Sequence, residues 1–282
     1  MTAPLFFDID KTKFVSIVVA FFFCNSCGVN YLRDLSDKNT DAAKLEDAKK
    51  SINSNPSDYD AAIAKILSMS SEAQGTLEVK KILAGAYAGK CGLNFLSFIK
   101  GLTTDPSAPT SLFEKLMIAM RTQVPDLPSC TQAENLVVSL GSAANRPSNV
   151  NFFFAIYGFA KVGLFLRSFA DPDASGTVEA PFDSCSPAQF PDNAVNQVIT
   201  GLGIAFENIS TILSVISNSA FGTEILDFQA QCEAILGAGN CSVTDTSLIN
   251  GTMRDLMRDV LKSELFGIES CPNPVVTMAA CC

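Results

Sequence analysis

Apolar residues recur at every third or fourth position along most of this chain. This is the spacing of an α-helix that buries one face. The longest such stripe crosses residues 192–218, where Ile204 and Val215 lie on the opposite, more polar side and are expected at the surface or against a second subunit. The strict alternation that is typical of half-buried strands is almost absent. The pattern therefore predicts an all-α protein of about ten helices joined by short loops.

Capping residues, prolines and glycines divide this pattern into separate helices. The predicted helices span residues 41–52, 57–67, 72–90, 93–102, 111–122, 130–140, 151–169, 192–218, 223–236 and 246–266.

Residues 41–92 resemble a tetratricopeptide-like pair of helices. The resemblance is carried by the runs YDAAI, which begins at Tyr59, and LAGAY, which ends at Tyr87. Small Ala and Gly residues allow helices to approach closely, and a tyrosine supplies a large anchor. The resemblance implies that successive helix pairs wind into a superhelical array within one helical domain, residues 41–282. Residues 93–282 then supply the remaining helices and a cysteine-rich tail.

Residues 151–169, NFFFAIYGFAKVGLFLRSF, are apolar on every side of a helix. A helix of this kind is either buried in a core or exposed to lipid. The residues expected to form the lipid-facing or core surface are Phe152, Phe153, Phe159, Leu164 and Phe165.

A positively charged flank and an apolar run of about ten residues precede Cys27. The run is too short to cross a bilayer, which needs roughly 20 residues, but it fits the core of a secretory signal. Ser26 followed by Cys27 resembles a bacterial lipoprotein signal. This predicts a signal peptide at 1–26, a lipid on Cys27 and a tether at 27–40. A plain secretory signal and a buried strand are the alternatives. Because no Asp follows Cys27, the resemblance favours the outer membrane.

Cysteine content agrees with export. Without Cys24 and Cys27, eight cysteines remain, an even number that permits four disulfides, and the short loop from Cys232 to Cys241 is one natural pair. Buried free thiols are the alternative. The eight candidates are Cys91, Cys130, Cys185, Cys232, Cys241, Cys271, Cys281 and Cys282.

The loop that begins at Asp171 resembles the start of a calcium-binding EF-hand loop. Asp171, Asp173 and Ser175 place oxygen atoms two residues apart, and Gly176 follows at the turn, as Ca²⁺ sites require. Position twelve is Phe182, where the family has a bidentate Glu. An ordinary surface turn is the alternative, and no other cofactor is expected.

The absence of histidine excludes histidine-based catalytic triads, and the net charge of −9 disfavours nucleic acid as a partner. An enzyme using carboxylate pairs is the remaining catalytic alternative, and a non-enzymatic role is favoured.

Taken together, the signal, the run LAGAYAGKCG that ends at Gly92, the Phe-rich helix and the many cysteines are similar to a family of lipoproteins from predatory bacteria. Members of that family are helical, lie in the outer membrane and assemble as homo-oligomeric rings that trap lipid. The resemblance implies the same structural role here, with membrane lipid and further copies of the chain as partners. A monomeric periplasmic helical-repeat scaffold that binds a protein or peptide is the alternative.

Overall fold

A computed structural model describes residues 39–54, 57–103, 111–216, 220–237, 239–263 and 265–268. Within these ranges the chain forms twelve α-helices and no strands, which confirms the predicted all-α class. The helices are α1 (Asp41–Ile52), α2 (Tyr59–Leu67), α3 (Ser71–Gln74), α4 (Leu77–Cys91), α5 (Phe95–Thr103), α6 (Leu112–Met120), α7 (Leu127–Ser139), α8 (Ser148–Ala170), α9 (Asp192–Glu207), α10 (Ile209–Ile216), α11 (Ala220–Leu236) and α12 (Gly251–Leu261). The superhelical winding stays a prediction.

Side-chain caps fix where the first helices begin. The Thr40 hydroxyl accepts from the first turn of α1 at 3.3 Å, and the Asp58 carboxylate accepts from that of α2 at 2.9 Å. Each cap satisfies a backbone N–H that has no partner inside the helix. As a result α1 has the predicted bounds.

Two predicted helices are each divided in two. The predicted helix 72–90 is interrupted by Gly75 and Thr76, because the Thr76 side chain caps α4. The predicted helix 192–218 is interrupted at Asn208, whose side-chain amide donates to the Ile204 carbonyl at 2.7 Å. The last predicted helix is also shorter than expected, since its first residues form a 3₁₀ turn, Thr246–Leu248.

Helices α1 to α4, which we call the N-terminal region (residues 39–92), enclose a small apolar cluster of their own. Tyr59 lies directly over Gly89 of α4, so closely that any side chain at Gly89 would overlap its ring. The predicted use of small residues for close helix contact is therefore observed here. The buried members of this cluster are Ala48, Ala62, Ile63, Ile66, Met69, Val79, Leu83 and Ala86.

The remaining described residues, 93–268, form a larger body around α8. Helix α8 crosses α9 so closely that a Cβ atom on Gly158 would lie 2.5 Å from the Gly201 carbonyl oxygen. Helix α9 is buried on more than its predicted stripe, and Ile204, expected at the surface, is fully buried. That expectation was wrong because α9 has packed neighbours on more than one side, among them α8 and α12. The body surrounds α8 on most of its circumference.

Candidate functional site

The five apolar residues singled out on α8 do not share one environment. Phe159 and Leu164 are fully buried and Phe165 is 5% exposed, so all three belong to the core of the body. Phe152 and Phe153, near the start of the helix, are only half-buried. The middle of the Phe-rich helix therefore packs against protein, and its two ends are partly exposed.

Phe152 and Phe153 form a surface cluster with residues of α5. The ring of Phe95 lies 6.0 Å from that of Phe152 at a steep angle and 6.1 Å from that of Phe153 in a stacked arrangement. Both geometries are favourable for aromatic pairs. The next residue, Leu96, is 61% exposed. We call Phe95, Leu96, Phe152 and Phe153 the aromatic patch.

Among the described residues, α8 alone is long and apolar enough by itself to cross a membrane, with a mean hydropathy of 1.4. Most of this helix, 72% of its apolar window, is buried inside the fold. Helices α4 and α5 would pass the same test jointly, but they bend by 64° where they meet. Since a buried core helix meets the same criterion, the hydropathy of α8 reflects its central position in the body.

A buried ion pair interrupts this apolar core. The Lys161 ammonium lies 2.6 Å from Oε2 of Glu134 on α7 and donates to the Thr200 hydroxyl on α9 at 2.7 Å. The side chain of Lys161 is fully buried and that of Glu134 is 6% exposed. One cluster of polar atoms therefore joins α7, α8 and α9 in the interior of the body.

Burial dominates the electrostatics of this pair. It lowers the pKa of Lys161 to about 8, although the neighbouring Glu134 carboxylate opposes the change. The Oε1 atom of Glu134 is buried without a hydrogen-bond partner among the described residues. With both side chains closed to solvent, the pair fixes helix positions and does not present a reactive group to a substrate. The sequence shows Lys161 inside the Phe-rich run of residues 151–169 but gives no sign that Glu134 is its partner.

The disulfide between Cys91 and Cys130 lies next to this pair. It joins the end of α4 to α7, with its two Cα atoms 4.8 Å apart. The Cys130 carbonyl accepts a 2.5 Å hydrogen bond from Tyr157 of α8, and burial raises the pKa of that phenol well above its ordinary value. The N-terminal region is thus linked to the body by a covalent bond.

Two further cysteines confirm the expected pairing. Cys232 and Cys241 form a disulfide across the short loop after α11, with Cα atoms 6.1 Å apart. Cys185 is also disulfide-bonded. The other four cysteines of interest, Cys27, Cys271, Cys281 and Cys282, lie outside the described residues.

The candidate calcium loop is closed by its own hydrogen bonds. The Asp171 carboxylate accepts from the Ser175 hydroxyl and from the Gly176 backbone, each at 3.1 Å. Asp173 accepts from the Ser175 backbone at 3.0 Å. Burial raises the pKa of Asp171, whereas the Ser175 backbone N–H lowers the pKa of Asp173.

The rest of an EF-hand ligand set is not visible around this loop. Phe182 packs 5.9 Å from the ring of Phe190 and supplies no oxygen. Nowhere in the described part of the chain do three or more Asp, Glu or Cys side chains gather to hold a metal ion. Calcium binding at Asp171, Asp173 and Ser175 stays a prediction.

An open groove of about 590 Å³ lies where the N-terminal region meets the body. Its walls include Tyr59 and Lys90, and its rim carries Val124, which is 83% exposed. Lys90 forms an ion pair with Asp60 at 2.5 Å along one wall. The groove combines polar walls with one exposed apolar side chain, unlike the mostly apolar pockets that enclose small molecules.

A comparison of the chain with protein-family models, with curated proteins and with solved structures found no match in any of the three.

Proposed function

We propose that this protein is an exported, lipid-anchored protein of the bacterial outer membrane that self-assembles into a homo-oligomeric ring and retains membrane lipid inside it. Its role is structural, and no catalytic residues are assigned. The lipid would be attached at Cys27. The lipoproteins of predatory bacteria, which the sequence resembles, supply the precedent for a ring of this kind.

The observation that carries the proposal is the aromatic patch. Exposed apolar residues are usually scattered singly over a protein surface, and a contiguous cluster marks an interaction site. Here Phe152 and Phe153 of α8 stay partly exposed and contact Phe95, which precedes the exposed Leu96, while the middle of the same helix is buried. Helix α5, which completes the patch, carries Lys100 and no acidic residue. A surface of this composition suits contact with acyl chains and lipid headgroups.

The disulfides support export. Structural disulfides persist in oxidising compartments such as the periplasm and are rare in the cytosol. Both described pairs, Cys91–Cys130 and Cys232–Cys241, are buried. The compartment that permits them is the one in which a lipid-modified Cys27 would also lie.

Assembly would raise the membrane affinity above that of a single lipid anchor. A single acyl chain binds a membrane only marginally and reversibly. Several protomers in a closed ring bring several anchors to the same membrane, so the second and later anchors insert at high effective concentration. The patch would then add apolar contact with lipid, worth about 25 cal/mol per Å² of covered apolar surface.

Labelling with radioactive palmitate tests the anchor. The wild type should incorporate label, and Cys27→Ser should not, because only a thiol at this position can carry the acyl glycerol. An unlabelled wild type would remove the anchor from the account.

Lipid analysis tests the patch. Protein purified in mild detergent should carry phospholipid, and Phe152→Ser combined with Phe153→Ser should carry much less. Leu248→Ser is the matched control, because Leu248 is 64% exposed but lies outside the patch. Equal lipid content in all three proteins would contradict a role for the patch.

A monomeric periplasmic scaffold is the second candidate, favoured by the groove beside Tyr59 and Val124. It predicts a single-chain mass without co-purified lipid. It also predicts that Val124→Asp lowers the affinity for a peptide selected from a display library, whereas the Phe152/Phe153 variant leaves that affinity unchanged.

A further inference from the structure

Cys185 is bonded to a cysteine that lies outside the described residues. Of the five cysteines in the described part of the chain, four pair with each other, Cys91 with Cys130 and Cys232 with Cys241. Cys185, the fifth, is also disulfide-bonded. Its partner therefore lies near one of the two ends of the chain. The candidates are Cys24, Cys27, Cys271, Cys281 and Cys282.

The loop that carries Cys185 is held at the end of α12 by one carboxylate. Oδ1 of Asp183 accepts a 3.0 Å hydrogen bond from the Cys185 backbone N–H and lies 3.0 Å from the Lys262 ammonium. Both contacts lower the pKa of Asp183, and the backbone hydrogen bond contributes most. Further along the same loop, the Phe190 carbonyl accepts from Arg258 of α12 at 3.1 Å. Cys185 therefore lies close to the point where α12 ends.

The chain returns to the same point three residues before Cys271. After α12 it turns at Gly267, whose φ of +83° lies in the left-handed region that favours glycine. The Ile268 backbone N–H then donates to the Leu261 carbonyl at 3.2 Å. Leu261 directly precedes Lys262 in the sequence, and Ile268 is only 4% exposed. The backbone at Ile268 is therefore fixed beside the end of α12.

This fixed point limits where Cys271 can lie. Three residues span at most about 10 Å, so Cys271 stays near the end of α12 and near the loop that carries Cys185. A disulfide requires the two Cα atoms to come within roughly 4.4–6.8 Å of each other, which this reach permits. The other four candidates each lie at least twelve positions from the nearest described residue. A longer tether gives a lower effective concentration, so the geometry favours Cys271 over each of them.

We propose that Cys185 and Cys271 form a disulfide that fastens the start of the cysteine-rich tail to the end of α12. The bond forms by thiol–disulfide exchange. The two cysteine thiols become one disulfide, and a donor disulfide of the oxidising compartment is reduced to two thiols, which take up the two protons. The two described disulfides need the same class of oxidant. The pairing depends neither on the ring nor on the lipid.

The bond would add a covalent link where the visible contacts are weak. The ion pair between Asp183 and Lys262 is partly exposed, with the Asp183 side chain 47% accessible, and such pairs hold two segments together only weakly. A disulfide would also restrict the unfolded chain by closing the long loop between its two cysteines. Loss of the bond in a Cys185→Ala variant should therefore raise the rate of hydrogen exchange at the Ile268 amide.

Peptide mapping of the full chain without reduction tests the pairing. Free thiols are first blocked with N-ethylmaleimide, and cleavage after glutamate then isolates Cys185 in peptide 180–207. Cleavage after Met278 with cyanogen bromide separates Cys271, in peptide 270–278, from the last two cysteines of the chain. The expected product contains peptides 180–207 and 270–278 in one species, which a reductant divides into two.

Thiol counting on a variant gives a second readout. In the denatured and unreduced chain, Cys185→Ala should gain one maleimide adduct relative to the wild type, and that adduct should lie on Cys271. Cys232→Ala is the matched control. It should also gain one adduct, on Cys241, because the structure shows that pair directly.

The outcomes separate this pairing from the proposed function. Peptide 180–207 found unlinked, or linked to peptide 279–282, overturns the proposal. A link to the N-terminal peptide that ends at Glu46 also overturns it, and a link through Cys27 would in addition remove the site of the lipid anchor. A link to peptide 270–278 in a chain that carries no lipid and forms no ring supports the pairing and contradicts the proposed function alone.

Discussion

The N-terminal region and the body reach stability in different ways. Residues 39–92 contain seven basic and seven acidic residues and enclose only a small cluster of aliphatic side chains and one methionine. Their helices begin at side-chain caps, and ion pairs such as Lys49 with Glu78 at 2.9 Å lie on their surface. The body instead surrounds one apolar helix, α8, and the ionic groups Arg146, Lys161 and Arg258 lie inside it.

This difference indicates which substitutions should lower the unfolding free energy of each region most. Capping bonds and exposed ion pairs each contribute on the order of 1 kcal/mol or less, so single changes in the N-terminal region should be mild. In the body, a buried charge has no water to replace a lost partner, and a close helix crossing has no room for added atoms. The four largest predicted effects therefore lie in the body or at the disulfide that joins it to the N-terminal region.

The largest effect is expected for Lys161→Met. It leaves the Glu134 carboxylate buried and unpaired, which costs about 3–5 kcal/mol of unfolding free energy. Replacing both partners, Lys161→Met with Glu134→Leu, should recover most of that loss, because neither buried charge remains. Urea unfolding monitored by circular dichroism measures the unfolding free energies of the single and the double variant. A double variant as unstable as the single one would contradict the assigned pairing.

Removal of the Cys91–Cys130 disulfide should cost about 4 kcal/mol, since it closes a loop of 39 residues in the unfolded chain. The Cys232–Cys241 disulfide closes a loop of 9 residues and should cost about 3 kcal/mol when both cysteines become Ala. Because only the first joins the two regions, its loss should also raise hydrogen exchange throughout α1 to α4. Equal hydrogen exchange of α1 to α4 in both variants would mean that the Cys91–Cys130 disulfide does not hold the N-terminal region to the body.

A Gly→Ala substitution should change the unfolding free energy in opposite directions in the two regions. Gly158→Ala forces a methyl group against the backbone of α9 and should cost about 1–3 kcal/mol. Gly85→Ala on α4 meets no atom within 4 Å and should stabilise by up to about 1 kcal/mol, because Gly lowers helix stability. Thermal unfolding of both variants measures the two changes in midpoint temperature. Equal changes in the two variants would contradict the close crossing of α8 and α9.

Loss of a cap in the N-terminal region should cost about 1 kcal/mol. Asp58→Ala removes the acceptor for the Ala61 backbone N–H, whereas Asp58→Asn, the control, keeps an oxygen there. Chemical denaturation should give the Asp58→Ala variant an unfolding free energy about 1 kcal/mol below that of the Asp58→Asn variant. Helices α8 and α9 begin after Pro147 and Pro191 without a side-chain cap, so no equivalent substitution exists in those helices.

The smallest effect is a dependence of stability on mildly alkaline pH. The pKa of Lys161 is lowered to about 8 in the folded chain and is about 10.5 when unfolded, so above pH 8 the unfolded chain binds more protons. Stability should therefore rise as the pH increases from 7.5 to 8.5. The rise should be missing from the Lys161→Met and Glu134→Leu double variant, and an equal rise in both proteins would assign it to other groups.

Local features made the N-terminal region more predictable than the body. The Asp41–Ile52 helix follows from its apolar spacing, and the break before α4 also had a local signal, since Thr76 precedes an acidic residue in the first turn, Glu78. The break at Asn208 had no such local signal. The Asn208 side chain there accepts a 3.0 Å hydrogen bond from Arg146, which is 62 positions away in the sequence.

The same distinction applies to the candidate site. Phe152, Phe153, Phe159, Leu164 and Phe165 were identifiable as a group, but their division between surface and core depends on α5 and α9, which pack on α8 from distant parts of the chain. Glu134 lies between Ala133 and Asn135 on an otherwise ordinary helix. Only the folded structure brings it to Lys161.

The central claim is a ring that holds lipid, and native mass spectrometry of the full chain extracted from bacterial outer membranes in mild detergent tests it most directly. The account predicts a single closed species whose mass is a whole multiple of the lipid-modified chain plus bound phospholipid. A spectrum containing only single chains, with neither an acyl group on Cys27 nor retained phospholipid, would contradict it.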